Sequence, residues 1–218
     1  MASSKELLDR DRKAEHIRLA LEDRMQFAAH AFDPWVFDHD ALPDLDFDAI
    51  DLSVDFLGKR LRAPLLLSCM TGGTEIAARI NRNLAEAAES RGVALGIGSQ
   101  RKALEDPSQA SSFQVRDVAP TIPLLANLGA IQLNYGYGVE HCRRAVTMIG
   151  ADALVLHLNP LQEAIQPEGQ CNFAGLLPKM AEVVSGLAVP VIAKEVGSGI
   201  SEATGRRLVG AGDLKSVV

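Results

Sequence analysis

Cysteine is scarce in this chain, and its spacing excludes more than its number does. The three residues, Cys69, Cys142 and Cys171, form no CxxC pair, and an odd count closes no disulfide framework. Free thiols in a reducing cytosol fit that pattern. Positive charge is in deficit: 22 Lys and Arg against 28 Asp and Glu leave a net charge of −6. That excludes a nucleic-acid protein held by a broad basic surface. It leaves room for a small anionic ligand, for which a few local cations suffice. No uncharged apolar run reaches the roughly 18 residues of a membrane span, so no membrane partner is expected. The opening MASSKELLDRDRKAEH is polar and charged, unlike a signal peptide, and points to a cytoplasmic protein. No Walker A loop and no HExxH motif occurs. Gly96-Ile97-Gly98-Ser99-Gln100-Arg101 begins like a dinucleotide fingerprint but lacks its third glycine.

What is present is ordinary for a globular protein: 218 residues, 47 % apolar and 23 % charged, enough to bury a sizeable core. Residues 4–26 read as a helix, capped by Ser3 or Ser4, with Leu7, Leu8, Ile17, Leu21 and Met25 along one stripe. Phe27, Phe32, Trp35 and Phe37 follow among prolines and aspartates, as an irregular segment pinned by aromatic anchors. Residues 50–62 alternate and turn at Gly58, which predicts a β-hairpin. The expected division is 1–62 as an amino-terminal region and 63–218 as the main α/β unit.

A rhythm begins at residue 63. The apolar runs APLLLSC, GVALGIG, PLLANLG, ADALVLHLN and VPVIAKEVG are short and nearly continuous, as in a parallel sheet buried on both faces. Helical stretches are expected between and after them, at 76–91, about 108–118, 139–149, 173–186 and 201–211. Five strand–helix units mean a doubly wound sheet or a barrel. Polar residues follow every strand: MTGG at 70–73, SQR at 99–101, Asn127, then His157 with Asn159, then Lys194 with Glu195. Polar chemistry at the carboxyl end of every strand is the barrel pattern, whereas a doubly wound sheet concentrates its site at one switch point. The fold class expected is therefore α/β, of the (β/α)8 TIM-barrel type, with about five units present.

Individual motifs carry bland and functional readings side by side. Met70-Thr71-Gly72-Gly73 is a plain turn, or a turn whose glycines let a ligand approach the backbone. Arg12, Lys13 and His16 form a solvated helix face, or a cluster that suits a diphosphate. In a strand His157 and Asn159 point the same way, Pro160 ends the strand, and Gln162 and Glu163 follow in the loop over the mouth. A buried strand has little reason to end in His, Asn, Gln and Glu unless something polar binds there. Lys194 and Glu195 either pair with neighbouring charges or bring Lys194 to face an anionic cofactor.

Taken in order, RKAEH (12–16), FLGKRLRAPLLLSCMTGG (56–73), GSQR (98–101), ANLGA (126–130), HLNPLQEAIQPEG (157–169), NF (172–173) and KEVGSGIS (194–201) resemble the type II isopentenyl diphosphate isomerases. The resemblance implies an enzyme that converts isopentenyl diphosphate into dimethylallyl diphosphate with reduced FMN and Mg²⁺, NAD(P)H serving to reduce the flavin. It implies FMN contacts at Met70, Thr71, Gly72, Ser99, Asn127 and Lys194. It implies substrate contacts at Arg12, Lys13, Arg101, His157, Asn159 and Gln162, with Gln162 near the reacting carbons and Glu163 as the Mg²⁺ ligand. Gln162 and Lys194 are the expected catalytic pair, and a homo-oligomer is implied for the full-length family. Other expectations are an FMN barrel of the α-hydroxy-acid oxidase type and a non-catalytic remnant. The family runs on through a GGTSW-like loop and glycine-rich phosphate loops, and the text here stops at LVGAGDLKSVV. The resemblance therefore implies an incomplete barrel with an open strand edge, impaired as an isomerase by itself.

Overall fold

The computed structural model describes residues 17–22 and 33–212. Arg12, Lys13, His16 and most of the expected first helix lie outside them. Residues 17–21 are helical, with an Arg18–Glu22 ion pair one turn apart. The chain divides into two compact units, Met1–Leu52 and Ser53–Val218. In the first, a short 3₁₀ turn at Phe47–Ala49 is capped by Asp46, whose side chain accepts from Asp48 N. Trp35 and Phe37 are 78 % and 98 % exposed, and the other two expected anchors, Phe27 and Phe32, lie outside the described residues. The run DPWVFDHD surrounds them with aspartates and offers no periodic apolar face.

The second unit opens with a hairpin, β1 (Val54–Phe56) and β2 (Lys59–Leu61), paired antiparallel around Leu57 and Gly58. Both turn residues have positive φ, +52° and +77°, the primed geometry whose twist suits a two-residue hairpin. Five parallel strands follow: β3 (Leu66–Leu67), β4 (Ala94–Gly96), β5 (Leu124–Gly129), β6 (Ala153–Leu158) and β7 (Val191–Glu195). They lie side by side in chain order. The helices are α1 (Glu75–Arg91), α2 (Arg101–Glu105), α3 (Val139–Ile149), α4 (Pro160–Ile165), α5 (Leu176–Gly186) and α6 (Glu202–Gly210). α1 is capped by Thr74 and ends at Gly92 in the left-handed region, with φ +64°.

Two corrections concern helix placement. The helix expected at about 108–118 is replaced by α2 and a 3₁₀ turn over Pro107–Ser112. Pro107 drives Asp106 out of the helical region, and Asp106 then caps the new turn by accepting from Ser108 N. Gln162 and Glu163 lie on α4, not in a loop: Pro160 ends the strand and also starts a helix, because a helix's first residue needs no N–H partner.

Alternation along the strands separates two faces. Leu124, Ala126, Leu128, Leu154, Leu156, Val191 and Ala193 pack with residues of α1, α2, α3, α5 and α6 in one core. Leu125, Ala153, Val155 and Ile192 point the other way and meet Phe56 and Leu57 of the hairpin, Leu66 and Cys69, with no helix among them. Helices on one face only, and strands in unbroken order, are the marks of a (β/α) barrel wall; a doubly wound sheet carries helices on both faces. The sheet is thus five consecutive strands of that wall, and the hairpin fills the inner face at their amino-terminal end.

A polar staple fastens that end. Asp152, just before β6, accepts from Lys59 Nζ and Arg116 Nη2 at 2.8 Å each and from Leu124 N at 2.8 Å. Arg116 also donates to the carbonyls of Ala119, Ile122 and Gly150. Burial raises the Asp152 pKa, but the bonds from Lys59, Leu124 and Arg116 outweigh it and hold the carboxyl below the usual aspartate range. A depressed carboxyl contributes stability above its unfolded pKa and loses it as pH falls through the folded one. Asp152→Asn should therefore cost about 1–3 kcal/mol at neutral pH. Urea unfolding should show a lower midpoint with an unchanged slope, and the gap to the parent should narrow as pH drops below 4. An equal midpoint at pH 7 would show that the staple is idle.

Candidate functional site

The same alternation sends Asn127, Gly129, His157 and Lys194 to the inner face near the carboxyl ends of their strands. Gly129 pairs with His157, and His157 with Lys194, so the three form one row across β5, β6 and β7. The glycine matters here: a Cβ at 129 would lie 3.1 Å from His157 Nε2. The His157 ring leans over it and places Nδ1 3.0 Å from Asn127 Oδ1. Asn127 Nδ2 is buried and meets no acceptor among the described residues. Cys69 lies at the edge of this group. Burial pushes its thiol up to about 11, against the opposing pull of the Lys194 charge.

The Asn127 amide decides the imidazole tautomer. With Oδ1 toward the ring, Nδ1 carries the proton and Nε2 is a bare acceptor. With the amide turned over, Nδ2 gains an acceptor in Nδ1, and Nε2–H becomes a donor. The second arrangement leaves Oδ1 as the unpaired atom of the amide, and it is the one an anion at Nε2 requires.

Lys194 is half-buried and donates to the Glu195 carbonyl at 2.8 Å. It makes no ion pair among the described residues. Glu195 turns its carboxylate to its own loop instead, one oxygen accepting from Gly197 N and Ser198 N at 2.6 Å each and from Gly199 N at 3.1 Å. Among the described residues neither member of this pair forms an ion pair with a neighbouring charge.

Beyond β6 a second polar group is assembled on α4. Asn159, 3 % exposed, donates from Nδ2 to Gln162 Oε1 at 3.2 Å and to Glu163 Oε1 at 2.9 Å. The other Glu163 oxygen accepts from Gln170 N at 2.7 Å, and the Gln170 side chain accepts from Gln132 Nε2 at 2.7 Å. The close return of this loop explains Gly169, where a Cβ would fall 1.7 Å from the Glu163 carbonyl oxygen. Sequence reasoning passed over Gln132, Gly169 and Gln170; the PEG that ends HLNPLQEAIQPEG was the available signal.

The remaining expected residues divide. Met70 is 81 % exposed, and Thr71 and Ser99 are half-buried. Gly72 is buried against Phe113, whose ring would lie 2.0 Å from a Cβ there, so packing alone accounts for this glycine. Arg101 starts α2 and pairs with Glu105 at 3.3 Å. Gln100 is fully buried and bridges Asn127 N to the Ala145 carbonyl, at 3.0 and 2.9 Å, which is a structural role.

Two implied groups can be tested against these atoms. The edge of a flavin ring offers carbonyl oxygens and an N–H, and the Lys194 ammonium as donor and the Oδ1 of the turned-over Asn127 amide as acceptor lie on one face; the residues fit FMN. Among the described residues no three His, Cys, Asp or Glu side chains cluster as a metal cage. Mg²⁺ that keeps water and phosphate ligands needs only one or two carboxylates, and Glu163, held at both oxygens, fits that lesser demand.

Burial first, and the Lys194 charge second, lower the His157 pKa from 6.5 to about 4. The ring is therefore neutral at physiological pH. Because the unfolded ring binds its proton first, the fold should lose stability as pH falls from about 6.5 to about 4. Nitrogen-15 shifts of the imidazole should report a neutral ring at pH 5.5, and Lys194→Met should raise the midpoint. A parent midpoint near 6.5 would overturn this account.

The chain matches none of the models of known protein families. It is 53 % identical over 203 residues to the isopentenyl-diphosphate delta-isomerase of Nostoc sp., covering 92 % of this chain and 58 % of the relative. The enzymes of that name from Synechocystis sp. and Rickettsia felis are 52 % and 50 % identical, over 93 % and 94 % of this chain and 60 % of each relative. Among solved structures, a mandelate oxidase with an FMN adduct superposes with a TM-score of 0.52 at 18 % identity, over 77 % of this chain and 50 % of that one. At that identity the likeness shows the shared α/β-barrel fold alone. No helix among the described residues is long and apolar enough to cross a membrane. By sequence the chain is similar to the isopentenyl-diphosphate delta-isomerases, and it spans about three-fifths of the length of the curated relatives it matches.

Proposed function

We propose that this chain supplies the isopentenyl diphosphate site of a type II, FMN- and Mg²⁺-dependent isomerase. The observation that carries the reading is the meeting of Asn127, His157 and Lys194 on one inner face, with Asn159, Gln162 and Glu163 beyond the same strand end, in a chain about half identical to enzymes of that name. When bound, reduced FMN would supply the proton chemistry that moves a double bond along the substrate, with NAD(P)H as its reductant. The residues of the chain do the rest. Lys194 polarises the flavin's acceptor edge and Asn127 Oδ1 accepts from its N–H, with Met70, Thr71, Gly72 and Ser99 beside them. His157 donates from Nε2 to a diphosphate oxygen as a neutral group, and Arg101 supplies positive charge. Glu163 presents its carboxylate to Mg²⁺, and Gln162 faces the reacting carbons as a donor rather than as an acid or base.

The α-hydroxy-acid oxidase alternative has the fold in its favour and nothing else, since 18 % identity says no more. Purified protein should be titrated with isopentenyl diphosphate in the presence of reduced FMN and Mg²⁺, and with lactate in the presence of oxidised FMN and dioxygen. Mg²⁺-dependent binding of the diphosphate, or formation of dimethylallyl diphosphate, supports the proposal. Lactate oxidation without either would sink it.

Glu163→Gln should weaken the Mg²⁺-dependent response by orders of magnitude and leave flavin binding unchanged, because it removes a metal ligand and no flavin contact. Lys194→Ala should do the reverse, lowering flavin absorbance per mole of protein first. A Glu163→Gln protein equal to the parent at saturating Mg²⁺ would exclude Glu163 as the ligand.

A further inference from the structure

The amide of Asn159 is committed in two directions. Its Nδ2 bonds Gln162 Oε1 and Glu163 Oε1 at 3.2 and 2.9 Å, from a side chain that is 3 % exposed. An ionised carboxylate only accepts hydrogen bonds. Glu163 therefore fixes which way round Asn159 lies, since the turned-over amide would set Oδ1 against the carboxylate. Asn159 then fixes Gln162: facing a donor, Gln162 must present Oε1, and its own Nε2 donor is directed away from Asn159. From the other side Gln170 N holds the second Glu163 oxygen at 2.7 Å. The one uncommitted atom of Asn159 is Oδ1, which is buried and meets no donor among the described residues. Oδ1 is an acceptor, and so are phosphate oxygens, so Asn159 as arranged has nothing to offer a diphosphate.

We infer that Asn159 is a positioning residue: it presets the Gln162 donor and the Glu163 carboxylate for the substrate and does not itself grip the phosphate oxygens. The inference rests on the proposed function for what the substrate is, while the hydrogen-bond arrangement stands without it. It also assigns a use to each polar residue of Asn159-Pro160-Leu161-Gln162-Glu163. Pro160 starts the helix that brings positions 162 and 163 back toward the Asn159 amide, one turn on.

Two measurements separate this from a direct contact. In the nitrogen-15-labelled parent, the Asn159 Nδ2 protons should exchange with solvent about tenfold or more slowly than those of Gln162 Nε2. In Asn159→Ala the Gln162 amide signals should shift while the backbone spectrum away from α4 stays in place. With isopentenyl diphosphate, reduced FMN and Mg²⁺, kcat should fall about 10–100-fold, as for loss of a group that orients a metal ligand, with KM little changed. Asn159→Asp, which sets a carboxylate against that of Glu163 and lets the Gln162 amide turn over, should be at least as damaging as Asn159→Ala. Fast exchange at Asn159 in the parent, or a rise in KM at unchanged kcat, would overturn the inference and make Asn159 a direct ligand. If a variant fails to fold, the parent's exchange rates still decide. If the parent neither binds nor turns over the diphosphate, the functional reading fails and those rates alone judge the positioning role.

Discussion

Side chains on a β-strand alternate, and the site depends on that alternation being held in register across β5, β6 and β7. The apolar residues at 124, 126, 128, 154 and 156, leucines but for Ala126, are gripped by the helix layer. Their neighbours have no choice but to face inward. A slip of one residue would carry Asn127 and His157 into the helices and leave leucines at the mouth. Burying that helix-facing row is worth about 25 cal/mol per Å² of apolar surface, far more than any one polar contact at the site. Gln100 adds a directional tie. By accepting from Asn127 N and donating to the Ala145 carbonyl, it locks the end of β5 to the neighbouring turn and to α3.

The two ends of the sheet divide labour. The amino-terminal end is filled by Phe56 and Leu57 and stapled by Lys59, Arg116 and Asp152, with each charge answered. The carboxyl end keeps buried polar atoms with no partner among the described residues, one amide atom of Asn127 and Oδ1 of Asn159. Leaving such a group unpaired costs about 1–3 kcal/mol. Stability is concentrated at one end and unmet hydrogen-bonding capacity at the other, the usual arrangement of a barrel enzyme.

Much of this was legible in the sequence, for physical reasons. Strands buried on both faces read as continuous apolar runs, and the polar residue ending each run was visible because nothing else in the run is polar. The hairpin was plain from its alternation and Gly58. Short elements were not legible. The six residues of α4, opened by a proline, look like a loop until tertiary contacts hold them. The helix expected near 108–118 followed its composition and ignored the restraint that Pro107 puts on Asp106. Side-chain roles were the least visible. Gln100 and Gly72 lie in motifs that attract a functional reading, yet both are explained by packing and internal bonds. The constraint that fixes Gly169, contact with a carbonyl on a helix six residues earlier, leaves no periodic trace.

The loop after β7 is organised by the residue next to the lysine. One Glu195 oxygen gathers three successive amides, and the Glu195 carbonyl takes the Lys194 ammonium. Gly197 and Gly199, with φ of +149° and +83°, have a wide conformational range in the unfolded chain, so ordering this segment is entropically expensive. Glu195 concentrates that ordering in a single carboxylate. The loop's conformation and the whereabouts of the lysine's charge are thereby one cooperative variable. An anion that drew the ammonium off the carbonyl would act on the loop's backbone through one peptide unit, without any need for contact with the loop itself.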